Sequence, residues 1–364
     1  MIKKKKENVL GENMSLQDKM LKFRNLINKK AGSTVAFDLN EENPTKVKKW
    51  ISTGSRLLDR IICKGKVSGI PSNKIIEISG TESSGKSYIA LQIAANALKE
   101  DFLVVYFDSE NAFDPSFAEK IFSKNGFTLN DFLYVQATSI EFVLETMEEM
   151  LSQTDKPILF ILDSLANCPT VHAIDGMFDP LSSIAEKARI LSLGFQKLTI
   201  PLANHDSTFL ILNQLRTNIT SNVVERMIEP WVVPGGKAAI YSYSLRIWLT
   251  PRKSKDSWIL NEMGEKIGSE IKCQIKKSRF GTMGREIDTK ILWAGENISF
   301  QEEEMWLDVI KQSDFVQQNG AWTTLIYADG TDEKFTGNSF VEKLNESEKF
   351  KERVFQLLDS VMMR

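Results

Sequence analysis

An apolar run, Ile75-Ile76-Glu77-Ile78-Ser79, leads directly into Gly80-Thr81-Glu82-Ser83-Ser84-Gly85-Lys86-Ser87, and a run with helical periodicity follows. A strand, a glycine-rich loop and a helix in this order form the phosphate-binding loop pattern. The glycines let backbone N–H groups close around phosphates at the positive end of a helix. Lys86 would neutralise the β and γ phosphates, and Ser87 would ligate Mg²⁺. The sequence therefore predicts a nucleoside-triphosphate site that uses every residue from Gly80 to Ser87.

Two acidic segments at strand ends complete the expected site. In Ile158-Leu-Phe-Ile-Leu-Asp163 an apolar strand ends in a carboxylate, which can hold Mg²⁺ together with Ser87. Hydrolysis also needs a base that orients water toward the γ phosphate. Tyr106-Phe-Asp108-Ser-Glu110 ends the strand after the loop, at the edge where open parallel sheets bind ligands. From the residues alone, Asp108 and Glu110 are equally suitable bases.

Strand and helix patterns alternate after residue 74. Strands are predicted over residues 75–79, 102–107, 132–135, 158–162, 209–212, 242–249 and 270–276, and helices over 86–98, 115–122, 140–151 and 184–198. Because the first strands are continuously apolar, we expect burial on both faces and a mostly parallel central sheet covered by helices. The predicted fold class is α/β.

The chain divides into three predicted regions. Residues 1–49 hold a helix and a polar linker, residues 50–295 hold the α/β core, and residues 296–364 form a small α+β lobe. The lobe is predicted from a helix over 306–313, a strand over 322–327, a turn at Asp329-Gly330 and a closing helix over 346–362.

The N-terminal helix, predicted over residues 15–30, carries an apolar stripe formed by Leu16, Met20, Phe23 and Ile27. This stripe needs a partner surface, either on its own domain or on another copy of the chain. Residues 1–50 carry a net charge of +6, whereas the remainder carries −8. The basic arm could bind nucleic acid, contact an acidic neighbouring subunit or form a solvated helix face.

Composition excludes several classes of protein. With 364 residues, 42% hydrophobic and 26% charged, the chain can bury a core without a metal or a disulfide. Its three widely spaced cysteines, Cys63, Cys168 and Cys273, fit free thiols in a reducing compartment. The two histidines, His172 and His205, argue against a paired-histidine metal site or a serine–histidine triad. No apolar run is long enough to span a membrane, so we expect a cytoplasmic protein without a membrane partner.

Several motifs, taken in order, resemble the bacterial RecA recombinases and their phage relatives. They are Trp50-Ile-Ser-Thr-Gly-Ser55, the loop with Glu82-Ser83-Ser84, Asp108-Ser-Glu110-Asn-Ala-Phe-Asp114-Pro115, Asp163-Ser164, Asn213-Gln214-Leu215-Arg216, Gly235-Gly236 and Gly268-Ser269-Glu270. The resemblance implies a RecA-type P-loop ATPase core that uses ATP and Mg²⁺. It also implies a homo-oligomeric helical filament on single-stranded DNA, which pairs with homologous double-stranded DNA and exchanges strands. Single-strand-binding and loader proteins are further partners that it implies.

The resemblance assigns roles to further residues of the nucleotide site. Glu110 matches the family's catalytic glutamate, and Phe117 stands where an aromatic ring stacks on adenine. Gln214 matches the residue that senses the γ phosphate. Lys277 and Arg279 align with two cations that reach the ATP of the neighbouring subunit and neutralise the charge that develops there. Because these cations would come from the next protomer, turnover would depend on polymerisation. By the same resemblance, the N-terminal helix docks on the adjacent subunit.

Two stretches between sheet strands are too long for plain connectors and resemble the family's DNA-facing loops. They lie around residues 172–182 and 215–234, and the second is longer than in the bacterial members. The predicted DNA-binding residues are Met177, Phe178, Arg189, Arg216, Ile219, Arg226, Gly235 and Gly236. Arginines would pair with phosphates, apolar tips would stack on bases or wedge between them, and the two glycines would form a hinge.

Three functions are compatible with these residues. The first is a DNA-dependent ATPase that acts as a recombinase. The second is a filamentous DNA-binding module without strand exchange. The third is another P-loop enzyme, either a small-molecule kinase or a helicase-like ATPase. A kinase would need an acceptor pocket and an arginine-rich lid, and a helicase usually brings a separate helical domain; the sequence displays neither pattern.

Overall fold

The computed structural model describes residues 14–63, 69–176, 180–252, 254–294 and 298–362. Its contacts divide the chain into two units, Met1–Lys46 and Val47–Arg364. The helices in the described residues are α1 Leu16–Ala31, α2 Arg56–Ile62, α3 Lys86–Lys99, α4 Pro115–Lys124, α5 Ile140–Gln153, α6 Val171–Asp175, α7 Pro180–Asn204, α8 Val223–Ile228, α9 Gly236–Ser242, α10 Glu303–Ile310, α11 Phe340–Glu346 and α12 Glu348–Met362.

The strands, in chain order, are β1 Trp50–Ile51, β2 Ile70–Pro71, β3 Ile75–Gly80, β4 Leu103–Asp108, β5 Leu133–Gln136, β6 Ile158–Asp163, β7 Thr208–Gln214, β8 Arg216–Thr217, β9 Trp231–Val232, β10 Leu245–Pro251, β11 Trp258–Leu260, β12 Lys266–Ser278, β13 Glu286–Leu292, β14 Ser299–Phe300, β15 Val316–Asn319, β16 Trp322–Ile326 and β17 Asp332–Thr336.

A ten-stranded sheet runs through the second unit. Its strand order is β14-β13-β12-β10-β3-β7-β6-β4-β5, and β11 pairs with β12. The run from β10 to β5 is parallel throughout, whereas β11, β12, β13 and β14 pair antiparallel. Helical crossovers make the parallel part possible, because parallel neighbours cannot be joined by a tight turn. The predicted α/β class with a mostly parallel central sheet is confirmed.

Both faces of the parallel strands are covered, which explains their continuous apolar runs. Successive residues of β6 enter two different apolar clusters: Leu159 and Ile161 contribute to one, and Phe160 and Leu162 to the other. Helices α3 and α4 supply the first cluster, and α5, α7 and α9 supply the second. A side-chain period of two, with apolar partners on both sides, leaves no solvent face along such a strand.

The first unit consists of α1 and the segment that follows it. The helix begins after Ser15, whose side chain accepts a hydrogen bond from Asp18 N, and it ends at Gly32, where φ is +70°. Serine at the N-cap and glycine after the last turn are both common cap residues. The residues of the predicted stripe remain exposed in the described chain: Leu16, Met20, Phe23 and Ile27.

Nine strands of the described chain were not predicted, and one was placed too early. The missed strands all pair antiparallel; they are β1, β2, β8, β9, β11, β13, β14, β15 and β17. The strand predicted over residues 242–249 begins only at Leu245, because the preceding residues form α9. In β13 charged residues alternate with apolar ones, and they pair with neighbours such as Arg252, which bonds Asp288 at 2.6 Å. Such a strand lacks the continuous apolar run on which the other predictions depended.

The C-terminal lobe contacts the core through α2. The lobe has a three-stranded antiparallel sheet, β15-β16-β17, with α10, α11 and α12 around it. Its apolar cluster includes Leu57 of α2, which is fully buried there with lobe residues such as Phe340 and Phe350. At the same contact, Arg56 lies 3.6 Å above the ring of Phe355.

A buried carboxylate makes a second contact between lobe and core. Glu302, only 2% exposed, accepts hydrogen bonds from Ser55, the N-cap of α2, and from Thr289 of β13 at 2.8 Å. Burial raises the pKa of the Glu302 carboxyl. Because buried carboxylates need several donors, this residue ties the start of α10 to two elements of the core.

Leu57→Ala is expected to destabilise the protein by about 2–5 kcal/mol, since it opens a cavity where the lobe meets α2. Chemical denaturation would measure the loss. Leu133→Ala is the matched control, because Leu133 is 51% exposed and its truncation should change stability little. An equal effect of the two substitutions would contradict the burial argument.

Candidate functional site

The glycine-rich loop joins β3 to α3 with a tightly constrained backbone. Gly85 has φ of +81°, and a Cβ at Gly80 would lie 2.1 Å from Ser84 Oγ. Lys86 Nζ donates to the carbonyls of Gly80 at 3.2 Å and Thr81 at 2.8 Å. Burial lowers the pKa of Lys86. The lysine thus folds back over the loop at the place where phosphate oxygens would supply its acceptors.

Ser87 and Asp163, the two residues predicted to hold Mg²⁺, contact each other beside the loop. Ser87 Oγ donates to Asp163 Oδ2 at 2.7 Å, and Tyr106 OH donates to the same oxygen at 2.6 Å. Burial raises the pKa of the Asp163 carboxyl. Among the described residues no group of three or more His, Cys, Asp or Glu could hold a metal alone. A hydroxyl and a carboxylate nevertheless suit Mg²⁺, which takes its other ligands from phosphate and water.

The structure separates the two candidate bases. Asp108, 4% exposed, accepts hydrogen bonds from Glu110 N at 2.8 Å, Phe113 N at 3.1 Å and Tyr134 OH at 3.0 Å. It therefore holds the loop after β4 in place. Both carboxylates line the pocket that Ser87 and Asp163 also line, but Glu110 is exposed and accepts from Ser164 Oγ at 2.5 Å. This geometry favours Glu110, and not Asp108, as the residue that contacts water.

An aromatic pair flanks the loop on its other side. Phe117 of α4 and Trp293 line one pocket together with the loop residues from Ser83 to Ser87. The N-cap Asp114 accepts from Phe117 N at 3.2 Å and so begins α4 at this point. Two rings on one pocket wall suit a planar base. Phe117 was predicted from the family resemblance, whereas Trp293 was not predicted. The one sequence signal for Trp293 is its position directly after β13, a strand that was not predicted either.

Gln214 lies at the end of β7, paired in register with Gly80. Its neighbour Asn213 is fully buried and donates from Nδ2 to Glu77 Oε1 and to Pro234 O, both at 3.0 Å. Glu77 also pairs with buried Arg246 at 2.6 Å. Asn213 therefore ties the strand that precedes the nucleotide loop to the far end of the second long loop. Asn213 lies in one of the motifs that resemble the RecA family, but that motif alone assigns it no role.

Lys277 near the end of β12 and Arg279 directly after it both contact α9. Lys277 Nζ donates to Ile240 O at 2.7 Å and Tyr241 O at 2.9 Å, and Arg279 donates to Tyr241 O at 3.2 Å. Burial and the nearby charge of Arg279 lower the pKa of Lys277. The two cations bond the last carbonyls of a helix, a favourable position for positive charge. Neither lines the pockets beside Lys86 in its own chain.

A family model described as the RecA N-terminal domain matches residues 19–299. The chain belongs to the RecA family. It is 31% identical to Protein RecA of Rhodopirellula baltica over 307 residues, which is 84% of this chain and 76% of that protein. It is also 31% identical to Protein RecA of Rubrobacter xylanophilus, over 75% of this chain and 73% of that protein. The match to Protein RecA of Ruminococcus albus has the same identity and covers 63% of that protein.

The second long loop of this RecA-family chain contains regular structure. Its ends pair as a short hairpin, with Arg216 opposite Val232, and α8 lies between them. Of the predicted DNA-binding residues in this loop, Arg216, Ile219 and Arg226 are all exposed. Ile219 is 92% exposed. An apolar side chain held this far out of a hairpin can contact only a partner or solvent.

The remaining DNA-binding predictions fall in three places. Met177 and Phe178 lie outside the described residues. Arg189 is exposed on α7. Gly235 and Gly236 have φ of +107° and +77° and join the second loop to α9, a backbone that side chains rarely tolerate.

In the described part of the chain, no helix is both long enough and apolar enough to cross a membrane.

Proposed function

We propose that this chain is an ATP-dependent recombination protein, a DNA-dependent ATPase that forms helical filaments on single-stranded DNA and catalyses homologous pairing and strand exchange. One observation carries the proposal. Strand β7 ends at Gln214 beside the nucleotide loop, where Leu215 N donates to Gly80 O at 3.0 Å, and the chain continues at once into the exposed second loop. A change at the phosphates therefore has a short covalent path to a surface that suits nucleic acid.

Each residue of the nucleotide site has a separate role in the proposed ATP hydrolysis. Lys86 exchanges its loop carbonyls for phosphate oxygens, and Ser87 and Asp163 would hold Mg²⁺. The cation, when bound, neutralises charge on the phosphates. Glu110 accepts a proton or hydrogen bond from the attacking water, which orients that water toward the γ phosphate. Phe117 contacts the adenine ring.

A head-to-tail polymer would supply the nucleotide site with positive charge in addition to that of Lys86. Neither Lys277 nor Arg279 lines the pockets beside Lys86 in its own chain. By exchanging their helix carbonyls for phosphate oxygens, they would reach the ATP of a neighbouring subunit. A single repeated contact of this kind generates a helical filament when its rotation does not close. The exposed stripe on α1 provides an apolar surface for the same assembly.

The DNA side of the proposal depends on exposed basic and apolar residues near the two loops. Arg189, Arg216 and Arg226 would contact phosphates, and Ile219 would insert beside bases. Gly235 and Gly236 would let the second loop change its orientation when Gln214 contacts the γ phosphate. Single-stranded and double-stranded DNA are the proposed partners, with single-strand-binding and loader proteins as further ones.

A strand-exchange assay tests this function. We expect ATP turnover to rise when single-stranded DNA is added, helical filaments in electron micrographs, and joint products with a homologous duplex only. Filaments without products from either duplex would identify a DNA-binding module instead. Turnover that ignores DNA would favour a kinase, and rings in place of filaments would favour a helicase-like ATPase.

A further inference from the structure

Tyr106 contacts Asp163, the carboxylate that would hold Mg²⁺. It lies on β4, is 2% exposed, and donates its hydroxyl proton to Asp163 Oδ2 at 2.6 Å. Ser87 Oγ donates to the same oxygen at 2.7 Å. Two donors on one carboxylate oxygen fix the plane of the carboxyl group. Oδ1 is then the oxygen that can face a cation without breaking either bond.

The surroundings hold the phenol ring rigidly. Its strand pairs in register with β6, where Tyr106 stands opposite Ile161, two residues before Asp163. Phe113 packs edge-on against the ring, with centroids 5.1 Å apart. A ring that is buried and packed against Phe113 has little rotational freedom, so its hydroxyl keeps a fixed position. A fixed donor is what a carboxylate ligand needs for a constant orientation.

Ser87 alone cannot keep the Asp163 carboxylate in a constant orientation when a cation is bound. Its hydroxyl oxygen is itself the expected ligand, so its position follows the cation and the phosphates. Tyr106 lines the same pocket but is not itself an expected ligand. Its hydroxyl donates to Asp163 Oδ2 and Phe113 packs against its ring, so its position does not depend on the cation.

We propose that Tyr106 is a positioning residue for the divalent cation of the ATP site, and that it acts by orienting the Asp163 carboxylate. This inference depends on the proposed function, since it assumes that the site binds a metal nucleotide. Groups that orient a metal ligand commonly change metal affinity about 10-fold or more when they are removed. Loss of the Tyr106 hydroxyl should therefore weaken cation binding and leave the nucleotide contacts of Lys86 and Phe117 intact.

The test measures Mn²⁺ binding in the presence of a non-hydrolysable ATP analogue. The electron paramagnetic resonance signal of free Mn²⁺ is the readout. For Tyr106→Phe we expect the Kd for Mn²⁺ to rise about 10-fold, while binding of the analogue without a divalent cation stays unchanged. In turnover assays the Mg²⁺ concentration for half-maximal rate should rise by a similar factor, and kcat should recover at saturating Mg²⁺. Cation-free analogue binding also reports that the variant is folded.

The control is Tyr327→Phe. Tyr327 is another buried tyrosine that donates to a carboxylate, Glu333, at 2.5 Å, but it lies in the C-terminal lobe. Its loss should leave Mn²⁺ affinity unchanged. Equal Mn²⁺ affinity in the wild type and Tyr106→Phe would overturn the inference, as would an equal loss in both variants. A wild-type protein that binds no Mn²⁺ with the analogue would instead overturn the proposed function itself.

Discussion

Glu110→Gln is expected to lower ATP turnover by at least about a hundredfold, because the amide cannot accept a proton from the attacking water. ATP-dependent binding to single-stranded DNA should persist. Glutamine keeps the size of the side chain and can still bond Ser164, which Glu110 contacts at 2.5 Å. Steady-state ATP hydrolysis and DNA binding with a labelled oligonucleotide would measure the two effects separately.

The control for this change is Glu119→Gln, an exposed acid on α4 outside the pocket residues described above. It should hydrolyse ATP at the wild-type rate. Asp108→Asn is not a suitable control, because Asp108 holds the loop after β4 by accepting hydrogen bonds from two backbone N–H groups and Tyr134. Wild-type turnover in Glu110→Gln would exclude Glu110 as the base.

Replacing Lys277 and Arg279 together with alanine should lower DNA-stimulated turnover by about a thousandfold or more, which is the usual effect of removing a charge supplied in trans to a phosphoryl group. Nucleotide binding by the free protomer should remain, since neither residue lines the pockets beside Lys86. Turnover assays with DNA and equilibrium binding of a fluorescent nucleotide provide the two readouts.

Mixing protomers tests whether these cations act between subunits. In an equal mixture of the double-alanine variant with Glu110→Gln, about a quarter of head-to-tail interfaces combine an intact Glu110 with intact cations from the neighbour. Activity should therefore return to a comparable fraction of the wild-type rate, although each variant alone is inactive. No recovery in mixed filaments would contradict action in trans.

The central fold was predictable because its information is local. Strands buried on both faces are continuously apolar, and a glycine-rich loop between such a strand and a helix has few alternative structures. The antiparallel strands were less visible, since in β13 charged side chains alternate with apolar ones and find their partners on neighbouring strands. Where the C-terminal lobe contacts the core could not be read either, because Leu57 and Glu302 are far apart in the chain.

The candidate site divides in the same way. Lys86, Ser87 and Asp163 lie in motifs whose chemistry is readable from spacing. Tyr106 and Asn213 lie in or beside apolar strands and read as core residues until the pairing of β4 with β6, and of β7 with β3, brings each one to a partner. Lys277 and Arg279 read as a solvated strand end from composition alone, and only the family resemblance gave them a role.

Glu302 has a practical consequence for work on fragments. The family match ends at residue 299, which invites truncation there. Such a cut would remove the acceptor for the hydroxyls of Ser55 and Thr289 and would expose Leu57 to water. The shortened polypeptide would then expose an apolar patch and leave two hydroxyl donors without their acceptor. Aggregation of that product would therefore reflect the loss of the C-terminal lobe and say nothing about catalysis.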